Sequence, residues 1–227
     1  MELTNRLKTI SSFIPKSKTV YDIGCDHALL DIFLTLYNKN KCYACDIKES
    51  ALSFALKNIN KYKLIDKIKV VCSNGFDNVD VEKNSVAVIS GMGATTILEI
   101  LKSEKIDNLD FIILQSNNDH FLLRKELAKM DLKIVDEIVI YEKGIYYITF
   151  KIIHSKVKYS KIDLEFGPVL KNDDSIDTLL YYNNCMQRKK DILKKIPGKY
   201  LVKRINLILD ILWLKRNLKK KKFKEKM

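Results

Sequence analysis

Between residues 20 and 30 the chain reads Val20-Tyr21-Asp22-Ile23-Gly24-Cys25-Asp26-His27-Ala28-Leu29-Leu30. A short, β-rich apolar run ends in an acid and a glycine. A tight polar turn follows, and an apolar helical pattern begins at once. Strand, glycine turn and helix in that order make the first βα unit of a nucleotide-binding α/β domain. The glycine lets backbone approach a ligand closely, and a helix start offers free N–H groups. A dinucleotide site would show three glycines here, as G-x-G-x-x-G. This chain has Gly24, then Asp26, and no third glycine, so a pyrophosphate cradle fits poorly. An acid inside the turn repels phosphate and suits a cationic, phosphate-free ligand.

The rest of the chain repeats this unit. Strands are predicted over 18–23, 42–47, 67–72, 85–90 and 111–114. Helices are predicted over 2–13, 28–37, 49–62, from the Gly91-Met92-Gly93 turn through Leu101, and over 120–130. Val86-Ala87-Val88-Ile89 is a continuous apolar run, as expected of a central parallel strand covered on both faces. Residues 133–141 and 145–153 form a hairpin pattern around Lys143-Gly144. The expected fold class is α/β, a doubly wound Rossmann-like sheet with an antiparallel edge hairpin. Residues 156–171 read as linker. Two amphipathic helices follow, broken at Pro197-Gly198. The first carries Ile176, Leu179, Leu180, Asn183, Met186 and Leu193 at helical spacing, the second Leu201, Ile205, Ile208 and Leu212. They suggest a C-terminal α-helical hairpin, coiled-coil-like. The expected division is residues 1–155 and 156–227.

Charge separates the same two parts. Residues 1–150 hold 20 Lys and Arg against 20 Asp and Glu; residues 151–227 hold 21 against 8. The whole excess of +13 therefore sits in the last third. The run Lys219-Lys220-Lys221-Lys222-Phe223-Lys224 ends it, as a polyanion contact or as a solvated tail. A neutral α/β body with a basic appendage suggests a nucleic-acid partner. The start does not resemble a signal peptide, and no apolar run approaches 18 residues, so a cytoplasmic protein without a membrane partner is expected. The five cysteines are an odd number, which disfavours a disulfide framework. Cys42-Tyr-Ala-Cys45 has C-x-x-C spacing but lies in a predicted buried strand with no second pair and no nearby His. No metal site is expected. The oligomeric state is not legible, and a monomer is the working expectation.

In an open parallel sheet, ligands sit outside the carboxyl ends of the strands. Five such ends carry small or polar tips: Asp22-Ile23-Gly24-Cys25-Asp26-His27, then Asp46-Ile47, Ser73-Asn74-Gly75-Phe76, Ser90-Gly91-Met92-Gly93, and Gln115-Ser116-Asn117. Asp46 lies where an acid accepts hydrogen bonds from a nucleoside's ribose, or where it starts the next helix. Asn74 could meet an adenine edge. Phe76 could pack on the base or fill the core. Gly91 and Gly93 could admit the reacting groups or only make a turn. S-adenosylmethionine has the cationic, phosphate-free character this crevice favours.

The blocks Asp22-Ile23-Gly24-Cys25-Asp26-His27-Ala28, Gly91-Met92-Gly93 and Leu114-Gln115-Ser116-Asn117 resemble the D-I-G-S-D-H-A, G-M-G-G and L-Q-P-N signatures of the bacterial TrmK family. Leu3-Thr4-Asn5-Arg6-Leu7 is similar to its opening helix, and Gly167-Pro168-Val169-Leu170 to its G-P-F-L. The resemblance covers nearly the whole chain. It implies a class I methyltransferase that uses S-adenosylmethionine, yields S-adenosylhomocysteine and methylates N1 of adenine 22 in tRNA, held by the basic C-terminal region. Cys25, Ala94 and Ser116 depart from the family's Ser, Gly and Pro. Asn74 replaces its acid, and Asp46 its usual Glu. On this reading Asp22, Gly24, Asp26, Asp46, Ile47, Asn74, Gly75, Phe76, Ser90, Gly91 and Met92 bind the donor.

Adenine N1 carries an in-plane lone pair and can attack a sulfonium methyl without covalent help. The protein must place it and exclude water. Asp26 is the candidate to stabilise the charge formed or take a proton from the exocyclic nitrogen. It could instead bind the donor's amino group or cap the next helix. His27 could position the base or cap, and Asn117 could hold the exocyclic amine. Gln115 is expected to support the loop. The target base must leave its stack to reach the pocket. Competing readings are methyl transfer to rRNA or protein, a non-catalytic RNA-binding protein with a methyltransferase-like body, and a nucleotide-dependent oxidoreductase, which the missing glycines disfavour.

Overall fold

The computed structural model describes the backbone of residues 1–224 and the side chains of residues 1–219, so most of the terminal lysine run lies outside the described side chains. Seven strands form one sheet: β1 (Thr19–Ile23), β2 (Lys41–Asp46), β3 (Ile68–Cys72), β4 (Ser85–Met92), β5 (Leu109–Ser116), β6 (Leu132–Glu142) and β7 (Ile145–His154). Their order is β3-β2-β1-β4-β5-β7-β6. The first five are parallel; β7 runs antiparallel to both β5 and β6, giving the expected edge hairpin. The order reverses between β1 and β4, and a ligand crevice is expected at that switch.

Period-two alternation sends neighbouring strand residues into opposite layers. Val86 and Val88 join one core with Leu30, Ile32, Ala55 and Ile59, from α2 (Leu29–Asn38) and α3 (Glu49–Lys61). Ala87 and Ile89 join the other with Ile97 and Leu123, from α4 (Ala94–Ile100) and α5 (His120–Lys129). Helix α1 (Asn5–Ser12) starts at Thr4, whose Oγ1 accepts from the Leu7 N–H at 3.3 Å, and Ile10 anchors it in the first layer. Cys42 and Cys45 are fully buried in β2, and burial pushes both thiols up, so they are core residues.

The stretch expected as linker is instead built in. Ser160 and Asp163 form a capping box that starts α6 (Lys161–Phe166), and a 3-10 turn follows over Leu170–Asn172. An ion pair buried under 2% exposure secures it: Arg124 Nε donates to Glu137 Oε1 at 3.0 Å. Arg124 Nη1 donates to the Leu164 carbonyl at 3.1 Å. Glu137 Oε2 accepts from the Val169 and Leu170 N–H groups at 2.9 and 3.1 Å. Gly167 passes so close, at φ +95°, that a Cβ there would stand 2.5 Å from Glu137 Oε2.

The last two helices, α7 (Ile176–Lys195) and α8 (Leu201–Lys224), make the expected hairpin. Phe166 stacks on Trp213 with ring centroids 4.3 Å apart, and the Tyr182 hydroxyl donates to the Phe166 carbonyl at 2.7 Å. The seam is not the expected one. Leu201, Ile205, Ile208 and Leu212 all face solvent. Asp210, bonded to Lys189 at 2.9 Å, and Leu214 face inward instead. The aromatic cluster and this ion pair outweigh the heptad spacing in setting the rotation of α8.

Removing one partner of a buried ion pair leaves the other charge uncompensated, at about 3–5 kcal/mol. Glu137→Ala should lower the unfolding free energy by that amount, read as a lower urea midpoint at unchanged slope. A loss below about 1 kcal/mol would show that the pair does not fasten this region.

Candidate active site

All five parallel strands end at one edge of the sheet, where a cleft of about 900 Å³ opens. Its floor is the turn after β1. The Gly24 and Cys25 N–H groups both donate to the Cys45 carbonyl, at 2.8 and 2.9 Å. This pulls the chain into the left-handed region, with Gly24 at φ +83° and Asp26 at +50°. No side chain caps α2 at Ala28, so Asp26 leaves those N–H groups alone. Its carboxylate stays exposed, 3.6 Å from His27 Nε2, and His27 stands edge-on to Phe54.

At the end of β2, Asp46 is held from two sides. Oδ1 accepts from the Lys48 N–H at 2.9 Å and Oδ2 from the Asp26 N–H at 3.3 Å. It therefore braces both the first turn and the start of α3, with free lone pairs toward the cleft. Ile47 beside it is 60% exposed, an apolar surface for a flat ring. Asn74 and Gly75, at φ +58°, line the cleft after β3. Phe76 does not. It is 1% exposed and packs in the core with Val79 and Ile97, because the turn at Gly75 directs its ring inward.

Strand β4 runs two residues beyond the predicted end, with a bulge between Ser90 and Met92 and Gly91 at φ +79°. Ser90, Gly91 and Met92 line the cleft, and Asn117 faces them. The Asn117 Nδ2 donates to the Gly91 carbonyl at 2.7 Å, and its Oδ1 accepts from Gln115 Nε2 at 3.2 Å. Buried Gln115 in turn accepts from Arg6 Nη1 at 2.9 Å. Arg6, Glu142, Lys143 and Tyr147 complete the wall. The residue pattern did not point to these four. Only the pairing of β7 with β5 and the seat of α1 bring them here. The one sequence cue was Arg6 within the family-like opening.

Beneath the floor lies a second acid. Asp31, in the first turn of α2, is fully buried, and among the described residues no hydrogen-bond donor reaches its carboxyl oxygens. Burial pushes the Asp22 carboxyl up to about 7, against the weaker pull of Asp31 and Arg6. Burial and the neighbouring Asp22 raise Asp31 well above the carboxylate range. Two ionised carboxylates cannot bond each other. One proton shared between them makes a hydrogen bond of two unpaired acceptors.

These features test the donor. Three acids at the turns, a glycine floor and a nucleoside-sized cleft fit a cationic nucleoside without phosphates. A second depression, of about 660 Å³, lies at the opposite ends of β2 and β3 around Lys41, Tyr43 and Lys69, and holds none of these residues. Among the described residues, no cluster of His, Cys, Asp or Glu could hold a metal ion.

Known proteins agree with this geometry. A family model described as a methyltransferase domain matches residues 3–150. The tRNA (adenine(22)-N(1))-methyltransferase of Bacillus subtilis is 26% identical over 205 residues, covering 86% of each chain. The crystal structure of Streptococcus pneumoniae Sp1610 superposes with a TM-score of 0.89 at 30% identity, over 96% of this chain and all of that one. M. capricolum TrmK, solved with S-adenosyl-homocysteine, gives 0.81 at 30% identity, over 96% and 99%. This chain belongs to the TrmK family of methyltransferases. As a TrmK-family member it departs from the signatures quoted above at Asn74 and Asp46. Both side chains remain at the cleft. Asp46 reaches two backbone N–H groups despite its shorter stem.

The acid pair makes stability depend on pH. Carboxyls raised in the native state keep protons that the unfolded chain releases, so their contribution, full below about 4, is lost as pH rises through about 7. Asp31→Asn can donate to Asp22 without a proton. The variant should therefore gain on the parent at pH 8 by on the order of 1–3 kcal/mol and gain little at pH 4. Thermal melts across pH 4–8 check this, and an equal offset at every pH would reject the shared proton.

Proposed function

We propose that this chain transfers a methyl group from S-adenosylmethionine to N1 of adenine 22 of tRNA. The observation that carries this reading is the cleft itself. Twelve of the thirteen residues expected from sequence, all but Phe76, line one crevice at the sheet's switch point, in a chain of the TrmK family. When bound, S-adenosylmethionine supplies a methyl group made electrophilic by its sulfonium. Asp46 accepts from the ribose hydroxyls, Asn74 meets the adenine edge and Ile47 covers its face. Asp22 and Asp26 favour the donor's positive charge, and Gly24 and Gly91 keep backbone out of its path.

The acceptor needs placement more than activation, because N1 already presents its lone pair. Asn117 keeps one free lone pair on Oδ1 for the target's exocyclic amine. Asp26 stands at the cleft mouth with His27 and takes the role of stabilising the cationic product or accepting its proton. The tRNA is held by phosphate contacts to the basic C-terminal hairpin, which presents Lys199, Lys203, Lys215 and Arg216 at its surface. No helix of the described residues is long and apolar enough to cross a membrane. A cytoplasmic location, where tRNA is, belongs to the same reading.

Labelled S-adenosylmethionine should mark an unmodified tRNA transcript and leave an A22-to-G transcript blank. Asp26→Ala should lower kcat by roughly 10²–10⁴-fold, the range of a positioned acid or base. Equal marking of both transcripts would reject the site, and absence of donor binding would sink the proposal. Affinity for tRNA should also fall linearly in log–log form as salt rises. Removing Lys203 and Lys215 together should lower that slope by about 2, and an unchanged slope would move the tRNA contact elsewhere.

A further inference from the structure

We propose that Tyr147 and Arg6 form the platform on which the target adenine stacks; this rests on the adenine-methyltransferase reading above. The cleft has two halves. The donor's expected contacts, at Gly24, Asp46 and Asn74, lie over β1, β2 and β3. The other half lies over β4, β5 and β7, beyond the switch point. A donor seated over the first half directs its methyl toward the second, so the base enters there.

That half contains a single benzenoid ring among the described lining residues. Tyr147 follows Tyr146 on β7 and precedes Ile148, which pairs with Ser116 at the end of β5. This sets Tyr147 at the same strand end as Asn117. The other aromatic of the wall, His27, sits over β1 and is already engaged with Asp26 and Phe54.

Arg6 fixes the plane. Its guanidinium lies over the Tyr147 ring, 5.6 Å from the centroid, while Nη1 bonds Gln115 and the backbone N–H bonds Glu142 Oε2 at 2.9 Å. A Cβ at Gly91 would approach Nη1 at 3.4 Å, so the guanidinium runs beside bare backbone. Arg6, Gln115, Asn117 and the Gly91 carbonyl thus form one hydrogen-bonded row. A flat platform and an amide acceptor for the exocyclic amine are held in fixed relation by that row. Unstacked bases are recognised in this manner, by aromatic or guanidinium planes together with edge contacts.

The platform also bears on the chemistry. The methyl carbon bonds to N1 as its bond to sulfur breaks. The sulfonium becomes a neutral thioether and the adenine becomes a cation. A tyrosine face attracts that developing charge more than the neutral base, an interaction stronger in the transition state than in the ground state. Tyr147 is therefore a positioning residue whose effect belongs in kcat as well as in KM.

The test uses the full chain, tRNA transcript and S-adenosylmethionine. Tyr147→Ala should lower kcat/KM roughly 10- to 100-fold with part of the loss in kcat, the range of a lost base–aromatic stack. Tyr147→Phe should stay within about threefold of the parent, because the ring face is retained. Arg6→Gln should follow Tyr147→Ala in direction. S-adenosylhomocysteine affinity, measured by calorimetry, should stay within about twofold in the two tyrosine variants, a readout that a misfolded cleft would move. With 2-aminopurine at position 22, emission in the complex should be higher for Tyr147→Ala than for the parent, because a stacked base is quenched. Parent-like turnover by Tyr147→Ala, equal damage in Tyr147→Phe, or lost donor affinity would each overturn the platform. A parent enzyme that binds S-adenosylhomocysteine yet leaves adenine 22 unmarked would overturn the underlying reading, and the platform with it.

Discussion

Two N–H groups on one carbonyl set the geometry of the cleft. Gly24 and Cys25 both donate to Cys45, which closes the end of β1 against the end of β2. The closure demands a left-handed residue first, and Gly24 meets it without a Cβ penalty. It then brings Asp26 within reach of Asp46, whose carboxylate accepts the Asp26 N–H while bracing the start of α3. Two acids far apart in sequence become neighbours through backbone geometry. Two carboxylates held this close favour positive charge and repel phosphate.

The second organising contact lies at the other edge. Arg124 and Glu137 neutralise each other where water does not enter, and three backbone groups of the α6 region complete their bonds. An ion pair with such partners fixes a chain path more sharply than apolar packing does, because each lost bond leaves a buried polar group unpaired. It seats the base of the helical hairpin on the sheet, and the stacked Phe166 and Trp213 continue that seat. The basic arm therefore leaves the body from a rigid root.

Much of this was legible in the sequence, for a physical reason. Alternating strand and helix patterns fix a parallel sheet, and a parallel sheet collects its strand ends at one edge. Asp22, Asp26, Asp46 and Asn117 could be placed together because each lies at or just beyond the carboxyl end of a strand. Arg6 and Tyr147 could not, because one comes from a helix before the sheet and the other from an antiparallel strand that returns to the cleft late. Phe76 was ambiguous because residue type alone does not say which side of a glycine turn a ring takes. The α8 stripe misled for a related reason: heptad spacing names a face, and the neighbour that claims a face is a tertiary matter. The linker reading of 156–171 failed where mixed composition hid a capping box and two buried anchors, Phe166 and Leu170.

Helix α1 looks peripheral in the chain order, yet through Arg6 it supplies part of the cleft wall and one end of the Gln115–Asn117 row. The Met1 amino group is itself bonded to the Tyr37 hydroxyl at 3.1 Å. Any protein engineering of this molecule inherits that arrangement. An affinity tag fused ahead of Thr4 would pull on the seat of α1 and so on the cleft wall, and a library that treats the first ten positions as dispensable packaging would be reshaping that wall.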